Sequence, residues 1–133
     1  MNQRALLTLA VCFLVGAGSG VGQSKAGSKS ERAGKPSVTF IELGSVKCIP
    51  CRQMQPVMAS IERRYGDQIA IVFHDVWKPD QRKFAEQYGV RVIPTQVFLD
   101  REGKEFYRHE GFYPEGEIDK LLMKRGLKAR TEE

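Results

Sequence analysis

Apolar and polar positions along the chain mark out seven segments. The stretch Val38-Thr39-Phe40-Ile41-Glu42-Leu43 is short, apolar and rich in β-formers, and Gly44 ends it, which predicts a buried strand. Residues 51–65 carry Met54, Val57, Met58 and Ile61 at helical spacing and stop at Gly66, so a helix with one apolar face is expected. Pro56 falls inside that helix and should kink it. Residues 69–73 read as a second buried strand. Pro79 is placed to open a second helix, which carries Phe84, Ala85 and Tyr88 and ends at Gly89. Residues 96–99 predict a third strand, residues 100–103 a turn and residues 105–109 a fourth strand, so these strands form a hairpin. Pro114 opens a last amphipathic helix through Ile118, Leu121, Leu122 and Met123, which ends near Gly126. No internal repeat is visible.

The order is therefore βαβαββα. A crossover helix between the first two strands makes them parallel, and the hairpin adds antiparallel pairing. A mixed four-stranded sheet with helices on both faces follows, an α/β fold.

Polar and apolar segments outside this region have other roles. Arg4 gives a positive start, residues 5–15 are apolar except for Thr8, and residues 16–22 are mostly small. That order is the order of a secretory signal, and its apolar run is too short for a comfortable membrane span. Residues 1–22 are thus expected to be a signal peptide, cleaved after Ser19 or after Gly22, and the protein is expected to be periplasmic or otherwise extracytoplasmic. Cys12 lies in this leader and is lost with it; the bulky Val11 before it argues against lipidation. Residues 23–36 are polar, rich in Ser, Gly and Lys, and read as a flexible linker. The folded domain is expected over residues 37–128, with residues 129–133 as a tail.

Composition changes little in this picture. The chain has 133 residues, enough for one domain with its own core. Its net charge is +5, part of it from Lys25, Lys29, Arg32 and Lys35 ahead of the domain. A basic balance is compatible with nucleic acid, but no recognition motif or aromatic-interleaved basic patch accompanies it, so a solvated tail and no nucleic-acid partner are expected. A monomer is expected.

The chemistry sits in Cys48-Ile49-Pro50-Cys51, followed later by Ile93-Pro94-Thr95. Once the leader is removed, Cys48 and Cys51 are the remaining cysteines. One such pair in an exported chain reads as reactive rather than as a structural staple. Cys48 lies between a strand and a helix, where unpaired amides and the helix dipole favour thiolate over thiol. Lys47 adds a positive charge to the same effect. A thiolate at Cys48 would attack a disulfide, and Cys51 would then attack the Cys48 sulfur and release the product. Pro50 lacks an N–H and stiffens the loop. Half of a zinc site is the competing reading of a lone CxxC. It needs four ligands, and a second CxxC is missing, with His74 and His109 in separate elements; no metal is expected.

Residues 38–127 resemble a thioredoxin-fold protein. Cys48-Ile49-Pro50-Cys51 is similar to that family's active-site tetrad, Pro56 to the proline of its active-site helix, Ile93-Pro94-Thr95 to its cis-proline loop and Gly111 to the glycine after its last strand. The resemblance implies Cys48 as attacking and Cys51 as resolving thiol. It implies a client-binding surface including Ile49, Pro50, Ile93, Pro94 and Thr95, with the Ile93–Pro94 bond cis. No cofactor beyond the Cys48–Cys51 disulfide is implied. Glu42 occupies the position where the family carries a buried acid that shuttles the Cys51 proton. Strand alternation alone does not settle this against a surface-facing Glu42 on an edge strand; the family position favours the buried role.

Departures from the family pattern matter too. Gly44-Ser45-Val46-Lys47 stands where an aromatic residue usually precedes the first cysteine, and the family's extra N-terminal strand and helix are missing from residues 23–36. Trp77 is expected to pack over a loop, and His74, Asp75 and Lys78 to lie in a solvated one. Gly111-Phe112-Tyr113 is expected to be an exposed loop bordering the client groove. The implied activity is that of an exported bacterial protein-disulfide reductase, since residues 73–93 leave no room for the helical insertion of the family's strong oxidants. Its implied partners are exported proteins with disulfides or reactive thiols, including apocytochromes, and a membrane thiol-electron donor. A disulfide oxidant or isomerase uses the same residues, and a non-catalytic binding or metal-handling module is a third reading.

Overall fold

The computed structural model describes residues 34–130. The expected leader with Cys12, the expected linker up to residue 33 and residues 131–133 lie outside the described residues.

Strands and helices follow in the order β1 (Val38–Gly44), α1 (Ile49–Tyr65), β2 (Ile69–Asp75), α2 (Lys83–Gln87), β3 (Thr95–Asp100), β4 (Glu105–Glu110) and α3 (Glu115–Lys124). This is the expected βαβαββα order. The strands form one mixed sheet in the order β2-β1-β3-β4. β1 runs parallel to β2 and antiparallel to β3, and β3 and β4 form the expected hairpin. A register shift between Phe98 and Leu99 marks a bulge in that hairpin.

Strand alternation divides the core between two faces. Val38 and Phe40 of β1 and Phe98 of β3 pack with Met54 and Ile61 of α1 and Ile118 of α3. Ile41, Leu43 and Val97 face the other way, against Val76 and the partly buried Phe84 and Ala85. Helices thus cover both faces, as expected. Phe98 is fully buried and stacks on Phe40 with ring centroids 4.6 Å apart. Phe98→Ala is therefore expected to lower stability by roughly 3–5 kcal/mol, measured by denaturant unfolding. A loss below about 1 kcal/mol would mean that this stack does not anchor the core.

α1 forms because Cys51, Met54, Met58, Ile61 and Tyr65 recur every three or four residues and make one buried stripe. It starts earlier than expected, at Ile49, because Pro50 in the first turn has the right φ and needs no donor there. It runs on through Pro56. Gly66 ends it with φ +55°, and a side chain there would collide with the Arg130 guanidinium. Arg64 of α1 reaches Glu115 at 2.9 Å and Asp119 at 2.6 Å, which pins α3 to α1. Beyond α3, the amide of Arg130 donates to the Arg64 carbonyl at 2.7 Å, so the chain stays tied down past residue 128.

Three expectations are corrected. β2 is not a fully buried strand: only Ile69 and Asp75 at its ends are buried, because it is an edge strand with one neighbour. The second helix is not opened by Pro79. Residues 76–82 form turns in which the amides of Gln81 and Arg82 both donate to the Lys78 carbonyl, and α2 keeps only five residues. In α3, Ile118 and Leu122 form the buried stripe, while Met123 points to solvent.

Candidate active site: a disulfide at a helix start and a carboxyl buried behind it

Four connections meet at one end of the sheet: residues 45–48 after β1, residues 76–78 after β2, residues 92–94 before β3 and residues 111–113 after β4. Two buried residues, Asp75 and Ser45, hold the first two of these connections in place. Asp75 accepts from the Val46 amide at 3.4 Å and from the Trp77 amide at 3.2 Å. Ser45 accepts at its hydroxyl from the Lys47 amide at 3.3 Å, and its carbonyl accepts from the Cys48 amide at 3.1 Å. The Asp75 region is therefore not the solvated loop expected from sequence. His74 is half-buried in β2 and stacked on Phe84 at 3.7 Å, and burial holds its imidazole below the usual range against the opposing effect of a hydrogen bond to Gln81. Lys78 remains exposed.

Cys48 and Cys51 are disulfide-bonded, with their Cα atoms 5.2 Å apart. Cys48 is the N-cap of α1 and has extended backbone, and its carbonyl accepts the first helical hydrogen bond, from Arg52. Its own amide is used by Ser45, and Pro50 has none, so Ile49 and Cys51 supply the free donors of the first turn. No acidic residue lies in that turn. This leaves donors and the positive helix end for a charge on Cys48. The two sulfurs differ in access: Cys48 keeps 9 % of its surface exposed and Cys51 none.

Glu42 is fully buried on β1, which is a central strand, so the alternative of a surface-facing residue on an edge strand does not hold. A Cβ added at Gly44 would lie 3.1 Å from Cys51 Sγ and 3.4 Å from Glu42 Oε1. The carboxyl and the buried sulfur thus border the same small space, which a glycine keeps clear. Burial pushes the Glu42 carboxyl up from 4.5 to about 7, with a hydrogen bond from Gln96 pulling the other way. Such a group takes up and gives away a proton near neutral pH.

Gln96 was missed in the sequence. Its Nε2 donates to Glu42 Oε2 at 3.0 Å and to the Gly111 carbonyl at 3.1 Å. The signal was a lone amide in the otherwise apolar run before Val97-Phe98-Leu99, but its partner depends on register. Glu42 and Gln96 stand directly opposite each other across β1 and β3.

The Ile93–Pro94 bond is cis, as the resemblance implied. Of the residues expected to contact a client, Ile49 and Pro50 are exposed, Ile93 is partly so, and Pro94 and Thr95 are buried. The Thr95 hydroxyl donates to the Val92 carbonyl at 2.6 Å and so shapes this loop from within. Gly111, at φ +92°, donates its amide to the Pro94 carbonyl at 2.8 Å and joins the loop after β4 to it. Tyr113 is buried, contrary to expectation, with its amide on Met54 Sδ; Phe112 is exposed. Trp77 does not pack over its loop but is 54 % exposed. With Val46, Val92 and Phe112 it puts exposed apolar side chains on the four connections at this end of the sheet, and Ile49 adds another at the start of α1. Among the described residues, no group of three or more His, Cys, Asp or Glu could hold a metal ion.

Residues 24–126 match the family model described as a thioredoxin-like domain. The chain is 36% identical over 72 residues to the "Thioredoxin-like protein HCF164, chloroplastic" of Arabidopsis thaliana, covering 54% of this chain and 27% of that protein. It is 32% identical over 77 residues to the thioredoxin of Bacillus subtilis, covering 58% of this chain and 71% of that one. It thus spans about a quarter of the chloroplastic relative and most of the bacterial one. Among solved structures, the germline-specific thioredoxin Deadhead of Drosophila melanogaster superposes with a TM-score of 0.59 at 25% identity, over 69% of this chain and 83% of that one.

Proposed function

Because the chain belongs to the thioredoxin-like family, we propose that it is a thiol–disulfide oxidoreductase that reduces disulfides of exported proteins through Cys48 and Cys51. The observation that carries this reading is the asymmetry of the pair: Cys48 stands at the helix N-cap with some surface exposed, and Cys51 is fully buried beside a carboxyl of raised affinity for protons. The redox group is the disulfide itself.

In the reduced protein the Cys48 thiolate attacks one sulfur of a client disulfide. The Cys48–client bond forms, the client S–S bond breaks, and the departing client thiolate takes a proton from water. Cys51 then passes its thiol proton to the Glu42 carboxylate and attacks Cys48 Sγ. The Cys48–Cys51 bond forms, the Cys48–client bond breaks, and the electron pair leaves on the second client sulfur, which the Glu42 proton can neutralise through solvent. The client gains two electrons and two protons, and the protein is left as the disulfide. A thiol donor reverses these steps to reload it.

The exposed Val46, Ile49, Trp77, Val92 and Phe112 support a protein client, since extended apolar segments can lie on them. The exported setting rests on the leader pattern of residues 1–22. A membrane thiol-electron donor, and clients such as apocytochromes, follow from that setting together with the family resemblance.

The deciding measurement is the reduction potential of the Cys48–Cys51 pair, equilibrated against a dithiothreitol couple. A reductant is expected near the value of thioredoxin, about −270 mV. A potential near about −120 mV would make the protein a disulfide donor and overturn the direction proposed.

A further inference from the structure

Glu42 and Gln96 form a buried pair with an unusual accounting of hydrogen bonds. Both side chains are fully buried. The carboxamide of Gln96 has two hydrogens, and both are used, on Glu42 Oε2 and on the Gly111 carbonyl. The Gly111 carbonyl sets the orientation of the amide: turned over, the Gln96 oxygen would face that carbonyl with no proton between them. One oxygen remains on each side chain, Glu42 Oε1 and Gln96 Oε1, and neither has a hydrogen-bond partner among the described residues. Buried polar atoms without partners are uncommon and call for a reason.

We propose that Gln96 is a positioning residue that holds Glu42 Oε2 as an acceptor, so that the exchangeable proton is carried on Oε1, the oxygen bordering Cys51. The inference rests on the proton-shuttle reading given above. Oε2 already receives an N–H, and a hydroxyl oxygen accepts more weakly than a carboxylate or carbonyl oxygen, so a proton there would weaken that bond while a proton on Oε1 keeps it. Oε1 lies within 3.4 Å of the point that is also 3.1 Å from Cys51 Sγ. Its lack of a partner in the disulfide form is what an oxygen reserved for a thiol proton requires. The same amide reaches Gly111, whose own amide holds the Pro94 carbonyl. One amide thus ties the carboxyl to the loop that flanks the client surface.

Other titratable groups do not account for the behaviour of Glu42. From α1, Cys51 borders the same space as the carboxyl, beside Gly44. From β4, His109 stands opposite Gln96 in register, but its ring stacks on Tyr113 and its Nε2 meets the Phe112 carbonyl. From β2, Phe73 is the partner in register. Desolvation and the Gln96 hydrogen bond are the causes acting on the carboxyl.

The test uses the full chain with Cys12→Ser, reduced and mixed with the aromatic disulfide 5,5′-dithiobis(2-nitrobenzoate). Attack by Cys48 releases one thionitrobenzoate, and attack by Cys51 on the mixed disulfide releases the second. Gln96→Met keeps the volume and removes both donors. The pH midpoint of the second release is expected to rise by about one unit. At pH 7 the second release should slow about five-fold, with the first unchanged. In a Glu42→Gln background, Gln96→Met should shift no midpoint. No shift with Glu42 present, or the same shift without it, would overturn the assignment while leaving the shuttle intact. If Glu42→Gln itself leaves the second release as pH-dependent as before, the shuttle fails, and the role of Gln96 with it. A measurement on the unsubstituted protein guards against a variant that does not fold. The Gln96 side-chain amide resonances should titrate with a midpoint near 7, and resonances constant from about pH 5 to 9 would sink the proposal.

Discussion

Cys48→Ser is expected to abolish disulfide exchange, lowering insulin reduction with dithiothreitol by roughly 10³-fold or more, because it removes the only reachable nucleophile of the pair. Cys51→Ser should behave differently. Cys48 can still attack, but nothing inside the protein can resolve the product, so a covalent complex with the client accumulates. Non-reducing gels and intact mass should show that adduct for Cys51→Ser and none for Cys48→Ser. The physical basis is access: Cys51 lies within the first turn of α1 with no exposed surface, while Cys48 is the N-cap residue and keeps some. Equal trapping by both variants would mean that either sulfur can meet a client and would refute the assigned order of attack. Full activity in Cys48→Ser would remove the enzyme reading altogether, and a folded Cys48→Ser that still held clients would favour a binding module.

Glu42→Gln is expected to stabilise the protein while slowing it. The folded carboxyl is raised from 4.5 to about 7, so between these values the folded state binds a proton that the unfolded state has released. Stability then falls as pH rises through this window and stays reduced above it. At ~1.4 kcal/mol per unit, the penalty from this one group reaches about 3 kcal/mol at pH 8 and is absent at pH 4. Glutamine keeps the shape, can still accept from Gln96, and has no charge to desolvate. Denaturant unfolding of the oxidised protein should therefore show a gain of about 3 kcal/mol at pH 8 and almost none at pH 4. The attack of Cys51 on a mixed disulfide should slow by roughly 10²-fold, the usual reach of a general base. A gain of the same size at both pH values would mean that packing rather than charge is responsible. Such a trade of stability for activity is common where a charged group is held in an apolar site.

Much of this molecule is written locally. The stripe of Met54, Met58 and Ile61 and the stop at Gly66 specify α1, because helical spacing needs only neighbours along the chain. Asp100-Arg101-Glu102-Gly103 specifies the hairpin turn, in which Gly103 takes φ +85°. The tetrad Cys48-Ile49-Pro50-Cys51 sets its own geometry, since two thiols one helical turn apart can close on each other. Element order then narrows the topology to a mixed sheet. The segment after β2 misled for a local reason as well: Pro79 looks like a helix start, but the amides around it turn back to Lys78 and Gln81 serves the Asp75 amide instead.

The chain by itself therefore determined the sequence of elements, the redox pair and its place at the head of a helix. Only the tertiary structure decided what stands behind that pair. Alternation says that Glu42 shares a face with Phe40, but not that β1 lies between β2 and β3 with that face covered. Nor can it place Gln96 opposite Glu42, leave Trp77 exposed or bury Tyr113. These depend on strand order and register, which are set by contacts between residues far apart in the chain. Such contacts have no counterpart in the local pattern.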